Sequence, residues 1–297
     1  VSHDFENDPI DAWIDGEWVK ARGTTLGSDN GMGVAAAMAV LEATDLVHGP
    51  VEALFTIDEE TGMTGAFNLQ PGLLQGDILI NMDSEDEGEL YIGCAGGMNG
   101  NFTFSYQEEG VPGGHTAFKL SVTGMKGGHS GMDIPLGRGN AIKSLNRFFW
   151  EYQKQGELRI ASVDGGGLRN AIPREAFAVV TVPMGQAEAF TRAFDQFSAI
   201  IKAELASTEP DLKTAVEPTA LPATVIDALA ATQMLHAVYA CPNGVIRMSP
   251  DMEGLVETST NLAILKSEDG KIHVMCLLRS SVDTAKQDLA QMMESVF

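Results

Sequence analysis

The chain has 297 residues, 44% of them hydrophobic, and a formal net charge of −22 from 19 basic against 41 acidic side chains. That acid excess repels nucleic acid and anionic membrane surfaces, so neither is expected as a partner, whereas cationic metals are attracted; a solvated acidic surface accounts for most of it. No apolar run of about 18 residues and no basic-then-apolar start is present, so neither a membrane span nor a signal peptide is expected. Cys94, Cys241 and Cys276 are odd in number and widely spaced, which suits a reducing cytoplasm rather than a disulfide scaffold or a CxxC zinc site.

The length exceeds that of one domain, and the pattern predicts two. Residues 1–112 read as an α/β part. DAWIDGEWVKA alternates like a strand pair around Asp15-Gly16, GVAAAMAVLEAT is an Ala-rich helix opened by Gly31 and Gly33, and VEALFTID and GDILINMD are apolar strands of a buried parallel or mixed sheet. The Gly-rich, polar YIGCAGGMNGNFTFSYQEEGVPGG places a boundary near residue 113. Residues 113–297 then read as α+β: FKLSVTGM, ELRIASVDG and AFAVVTVPM as strands, GNAIKSLNRFFWEYQK and QAEAFTRAFDQFSAIIKAEL as helices. The order recurs in PATVIDALAATQMLHAVYA as a helix, TSTNLAILKSE and KIHVMCLLRS as paired strands, and TAKQDLAQMMESVF as a helix. That suggests a domain of two similar lobes, 113–208 and 209–297. The acidic start VSHDFENDPID without an initiator Met, and an end directly after a helix, lead us to expect a segment of a longer protein.

Four carboxylates stand where the predicted strands give way to turns: Asp29 in LGSDNGMG, Glu59 and Glu60 in LFTIDEETG, and Asp83 in ILINMDSEDEG. Adjacent glutamates after an apolar run point to opposite faces of a strand, so one of them needs neutralising. A two-metal hydrolase site accommodates them, with Asp29 bridging, Glu60 and Asp83 each ending one metal, and Glu59 as base. Solvated turn acids or a Mg²⁺ or Ca²⁺ site fit the same residues, because oxygen-only ligands favour hard ions and zinc favours histidine. His129 in KGGHSG has glycines on both sides and little to pack against, which favours a substrate-contacting imidazole over a core histidine. GGGLRNAIPREAF and LLRSS place Arg169, Asn170 and Arg279 beside turns or strand ends. Arg there suits a substrate carboxylate, although a lone Arg is more often a surface ion-pair former.

These residues, with IDGEWVKARGTTLGSDNGMG, EETGMTGAF, DILINMDSEDEGELYIGCAGG, GNAIKSL, PNGVIR, VETSTN and LLRSSVD, resemble the dinuclear zinc metallopeptidases related to carnosinase and aminoacylase, and within them the Xaa-His dipeptidase branch. The resemblance spans essentially the whole chain. It implies a zinc aminopeptidase-like α/β catalytic domain over 1–112 and a two-lobed α+β lid or dimerisation domain over 113–297. It further implies two zinc ions, with cobalt or manganese as substitutes, held by Asp29, Glu60 and Asp83, with a cis bond from Asp29 to Asn30. Glu59 would be the general base on a metal-bound hydroxide. His129 would stabilise the oxyanion, and Arg279, Asn261 and Asn170 would hold the carboxylate end of an unblocked dipeptide. A cytoplasmic enzyme, with a homodimer as its protein partner, is expected. A tripeptidase or deacylase of the same family, or a non-catalytic member, remains an alternative. The resemblance calls for two further histidines, one before Asp29 and one near the C-terminus, for which no histidine here has the context. The segment alone is therefore expected to be inactive.

Overall fold

The structure is a computed structural model that describes residues 3–84, 87–91 and 93–297, without the side chains of residues 60 and 61. The chain divides into two compact units, Val1–Ile92 and Gly93–Phe297.

In the first unit β1 (Ala12–Asp15) and β2 (Trp18–Ala21) form the expected antiparallel hairpin. Helix α1 spans Ser28–Glu42, but Asp29 and Asn30 depart from helical geometry, and the Asn30 side chain accepts a hydrogen bond from the Gly33 amide at 2.9 Å. Asn30 thus caps the regular part of the helix, as a short side-chain acceptor does at an N-terminus. Two single-turn helices follow, α2 (Glu59–Gly62) and α3 (Thr64–Phe67), parted by Met63 in the left-handed region. The predicted strands VEALFTID and GDILINMD are not strands here: residues 51–58 and 76–83 enter no ladder. Ile78 and Leu79 stand 83% and 81% exposed. Apolar content makes a segment ready for a buried parallel strand, but only hydrogen-bonded neighbours on its flanks make it one. Among the described residues of this unit, the hairpin is the sole ladder.

The second unit begins some twenty residues before the expected boundary near residue 113, because the Gly-rich segment ahead of it contains β3 (Gly96–Ser105), whose exposure alternates along its whole length. In chain order follow β4 (Glu108–Gly110), β5 (His115–Thr123), β6 (Gly128–His129), α4 (Ala141–Tyr152), β7 (Arg159–Gly165), β8 (Ala171–Ile172), β9 (Ala176–Pro183), α5 (Ala187–Glu204), β10 (Lys213–Thr219), β11 (Thr224–Ile226), α6 (Ala228–Ala240), β12 (Gly244–Met248), β13 (Val256–Glu268), β14 (Lys271–Ser280) and α7 (Asp283–Val296). One sheet of eight strands runs β10-β5-β9-β7-β13-β14-β3, with β12 also paired to β13. Its pairs are antiparallel. Residues 113–208 and 209–297 therefore share this sheet, since β10 pairs with β5 and β13 with β7. The β13–β14 turn holds Asp269 at φ 49° and Gly270 at φ 72°, the double positive φ that a two-residue hairpin turn requires.

Helix ends are fixed by side chains that also tie elements together. Asn140 accepts from the Lys143 amide at 3.1 Å and donates to the Leu262 carbonyl at 2.8 Å, joining α4 to β13. Asp227 accepts from Ala230 in α6 and from Gln107, both at 2.9 Å. Phe148 sits at the centre of the core, in ring contact with Phe149, Tyr152, Phe190, Phe194 and Phe197. Phe148→Ala should cost about 3–5 kcal/mol through lost burial and the cavity it leaves. A denaturant titration of the variant checks this, and a loss below about 1 kcal/mol would mean that the cluster collapses around the gap. Among the described residues no helix is long and apolar enough to cross a membrane.

Candidate functional site

The predicted site residues fall in both units, and each group has its own local geometry. In the first unit Asp29 lies in the non-helical start of α1, and its peptide bond to Asn30 is cis, as the resemblance implied. Glu59 opens α2. Glu60 follows it in that helix, but its side chain lies outside the described residues. Asp83 is in the irregular segment after Ile80, its amide donating to the Asn81 side chain at 3.1 Å. The acids thus sit at a helix start and in irregular chain rather than at strand ends.

Asp29 and Asp83 come together. Partial burial, then the charge and hydrogen bond of Asp29, push the Asp83 carboxyl above its ordinary value. Two carboxylates in that relation share a proton or a cation. Among the described residues no group of three or more His, Cys, Asp or Glu side chains converges as a metal-holding cluster.

In the second unit β6 carries His129 and pairs with β8, so that His129 faces Ala171 across the ladder. The His129 amide donates to Asp133 Oδ2 at 2.8 Å, and the Asp133 amide donates back to the His129 carbonyl at 3.0 Å. Arg138 closes the loop from the other side, pairing with Asp133 at 3.1 Å and donating to the Gly127 carbonyl at 2.6 Å. The ring is fixed as well. Its Nδ1 accepts from the amides of Met132 at 3.1 Å and Gly131 at 3.3 Å. Two N–H donors define Nδ1 as the acceptor, so the proton of the neutral imidazole is on Nε2. Burial, then the neighbouring Arg279, hold the ring below its ordinary value, against a smaller opposing pull from Asp133. At neutral pH it is uncharged.

Arg279, on β14, places Nη2 3.3 Å from His129 Nε2. Both atoms are donors, so the pair has no mutual hydrogen bond to make and jointly faces whatever oxygen enters. Nearby polar atoms are also unmatched: Arg279 Nε, Ser130 Oγ and Asn261 Oδ1 are buried without a partner among the described residues. Asn261 is 0% exposed and donates to the Ala171 carbonyl at 2.7 Å, so it braces β8. Exposed Asn170 uses its carbonyl to accept from the Ser130 amide at 2.7 Å. The structure therefore brings His129 and Arg279 together, with Asn261 and Asn170 tied to the strand and loop beside them. A cleft of about 610 Å³ opens on the side of His129 and Asn170, lined also by Lys126, Gly166 and Arg174 but not by Arg279 or Asn261, within the size range of small-ligand sites. Asp133 and Arg138 escaped the sequence reading, because nothing in HSGMDIPLGRG marks two opposite charges as a brace rather than surface residues.

Residues 114–209 match the model of the peptidase dimerisation domain. Over 294 residues the chain is 46% identical to the cytosol non-specific dipeptidase of Escherichia coli, covering 99% of this chain and 61% of that protein. The crystal structure of aminoacylhistidine dipeptidase from Vibrio alginolyticus superposes with a TM-score of 0.80 at 47% identity, over 100% of this chain and 60% of that one. The chain thus spans about three fifths of the length of these relatives. The likeness bears out the expected fold class, an α/β part followed by an α+β part. The chain is a close homologue of the cytosol non-specific dipeptidase and aminoacylhistidine dipeptidase.

Proposed function

We propose that the protein carrying this chain is a metal-dependent, cytoplasmic dipeptidase that hydrolyses unblocked dipeptides of the Xaa-His type and works as a homodimer. The observation that carries this reading is the donor pair of His129 Nε2 and Arg279 Nη2, 3.3 Å apart, with the opposite ring nitrogen held by two backbone amides. The homology to two dipeptidases and the match to a peptidase dimerisation domain support it.

His129 donates its Nε2 proton to the oxygen of the scissile carbonyl as charge gathers there. A ring already oriented by the protein gives that hydrogen bond without reorganisation at the moment of reaction. Arg279 offers its planar fork to the carboxylate of the dipeptide, with Asn261 and Asn170 supporting the same end. Burial draws the Arg279 guanidinium below its ordinary value, but the group keeps its charge. Glu59 takes a proton from the attacking water and returns it to the leaving amine.

Asp29, Glu60 and Asp83 would hold two zinc ions, for which cobalt or manganese could substitute. The Asp29–Asp83 contact suits a cation, because their mutual repulsion is what raises the Asp83 carboxyl after burial. When bound, the metal supplies Lewis acidity and an acidified water. A chelator should abolish dipeptide hydrolysis by the protein, and added zinc should restore it. Full activity in the metal-stripped protein would end this reading.

Arg279→Ala tests the substrate end. KM for an unblocked dipeptide should rise by about tenfold or more, since a charge-assisted pair contributes about 1.5–3 kcal/mol. The C-terminally amidated dipeptide should show no such difference between the two proteins. An equal penalty on both substrates would move Arg279 away from the carboxylate.

A further inference from the structure

We infer that Glu209 is the positioning residue of the His129 loop, acting on catalysis without touching the substrate. The proposal rests on the reading of His129 given above. Glu209 follows α5 and is 2% exposed. Its Oε2 accepts from the Lys126 amide at 2.7 Å and its Oε1 from the Gly139 amide at 2.8 Å. These amides stand at the two ends of the segment 126–139 that carries His129. One carboxylate therefore fixes both feet of the loop, and Asp133 with Arg138 fixes its interior.

Two features make this a clamp rather than incidental packing. First, a buried carboxylate is costly unless its oxygens are paired, so an apolar side chain would serve better if packing were the only need. Here each oxygen meets a backbone donor. Second, the clamp is anchored. The Glu209 amide donates to the Leu205 carbonyl at 2.7 Å, and the Leu212 amide donates to the Glu209 carbonyl at 3.2 Å, which ties the residue into the end of α5. A Cβ on Gly139 would lie 3.1 Å from Leu205 Cδ1 and from Met125, so the second foot rests directly on the base of the loop. The small size of Gly139 lets its amide reach the carboxylate.

The geometry also says how the clamp fails. Glu209→Gln keeps shape and burial, but its amide offers one oxygen where two donors need two. Its NH₂ would face the other backbone N–H, and that foot of the loop is released. Glu209→Asp is one methylene shorter and reaches only one of the two amides. Either change should let His129 wander while leaving Arg279, on β14, in place.

The test has two arms. In the 297-residue chain, hydrogen exchange followed by NMR should show the Lys126 and Gly139 amides protected. In either variant one of them should exchange about a hundredfold faster, and the His129 ring should lose its fixed Nδ1-acceptor signature. In the active protein the same variants should lower kcat about tenfold with KM changed less than about threefold. Unchanged exchange at both amides would overturn the clamp. Faster exchange with kcat within twofold of wild type would overturn the positioning role, as would failure of both variants to fold. His129→Ala separates the two ideas: if it leaves turnover intact, the reading of His129 fails, whereas the exchange arm still judges the clamp by itself.

Discussion

Glu59→Gln is expected to abolish dipeptide turnover, by about 10²–10⁴-fold, while the protein keeps its metal. The amide has nearly the same shape as the carboxylate but cannot take up a water proton. Glu60→Ala should behave differently, because it removes a ligand and with it metal affinity. Metal analysis of the two variants beside their kcat values makes the distinction. Activity of Glu59→Gln within tenfold of wild type, or equal zinc content in the two variants, would show that the roles assigned to these neighbours are wrong.

His129→Ala is expected to lower kcat by about 10²–10³-fold with a much smaller change in KM. The expectation follows from the fixed ring. Its Nδ1 is occupied by the Gly131 and Met132 amides and its charge is suppressed by burial and by Arg279. What remains is one oriented N–H donor, of most use to an oxygen that gains negative charge. A change in KM alone would assign the imidazole to ground-state binding instead.

How far the sequence could be read depended on whether a segment carries its own partners. Helix α4 and the β13–β14 hairpin were readable because a 3.6-residue apolar stripe and two alternating runs around Asp269-Gly270 are local signals. No strand was read in 96–105: its glycines outweighed an alternation of Met98, Phe102 and Phe104 that only becomes a strand beside β14. VEALFTID and GDILINMD were misread in the opposite direction, because apolar content does not supply a ladder. The acids at their ends, Glu59, Glu60 and Asp83, were still found, since carboxylates where an apolar run gives way to a turn stand out chemically whatever the backbone does. Thr224–Ile226, read as the start of a helix, is a strand because Asp227 begins the helix by capping Ala230 and simultaneously binds the Gln107 amide. Glu209 was invisible in sequence. A glutamate after a helix looks solvated until the fold shows it enclosed between two backbone amides.

The order of the large sheet bears on how such a unit travels between proteins. Its first strand, β3, lies beside its last, β14, and α7 folds back so that Phe297 stacks on Phe102 at 4.2 Å between ring centroids. The chain thus comes in and finishes along a single margin of the sheet, and a cut between residues 92 and 93 would sever none of the sheet's ladders. A module built this way can be carried within a host sequence or cloned separately without unpicking its core. Residues 93–297 on their own should therefore give a cooperative melting transition and protected sheet amides.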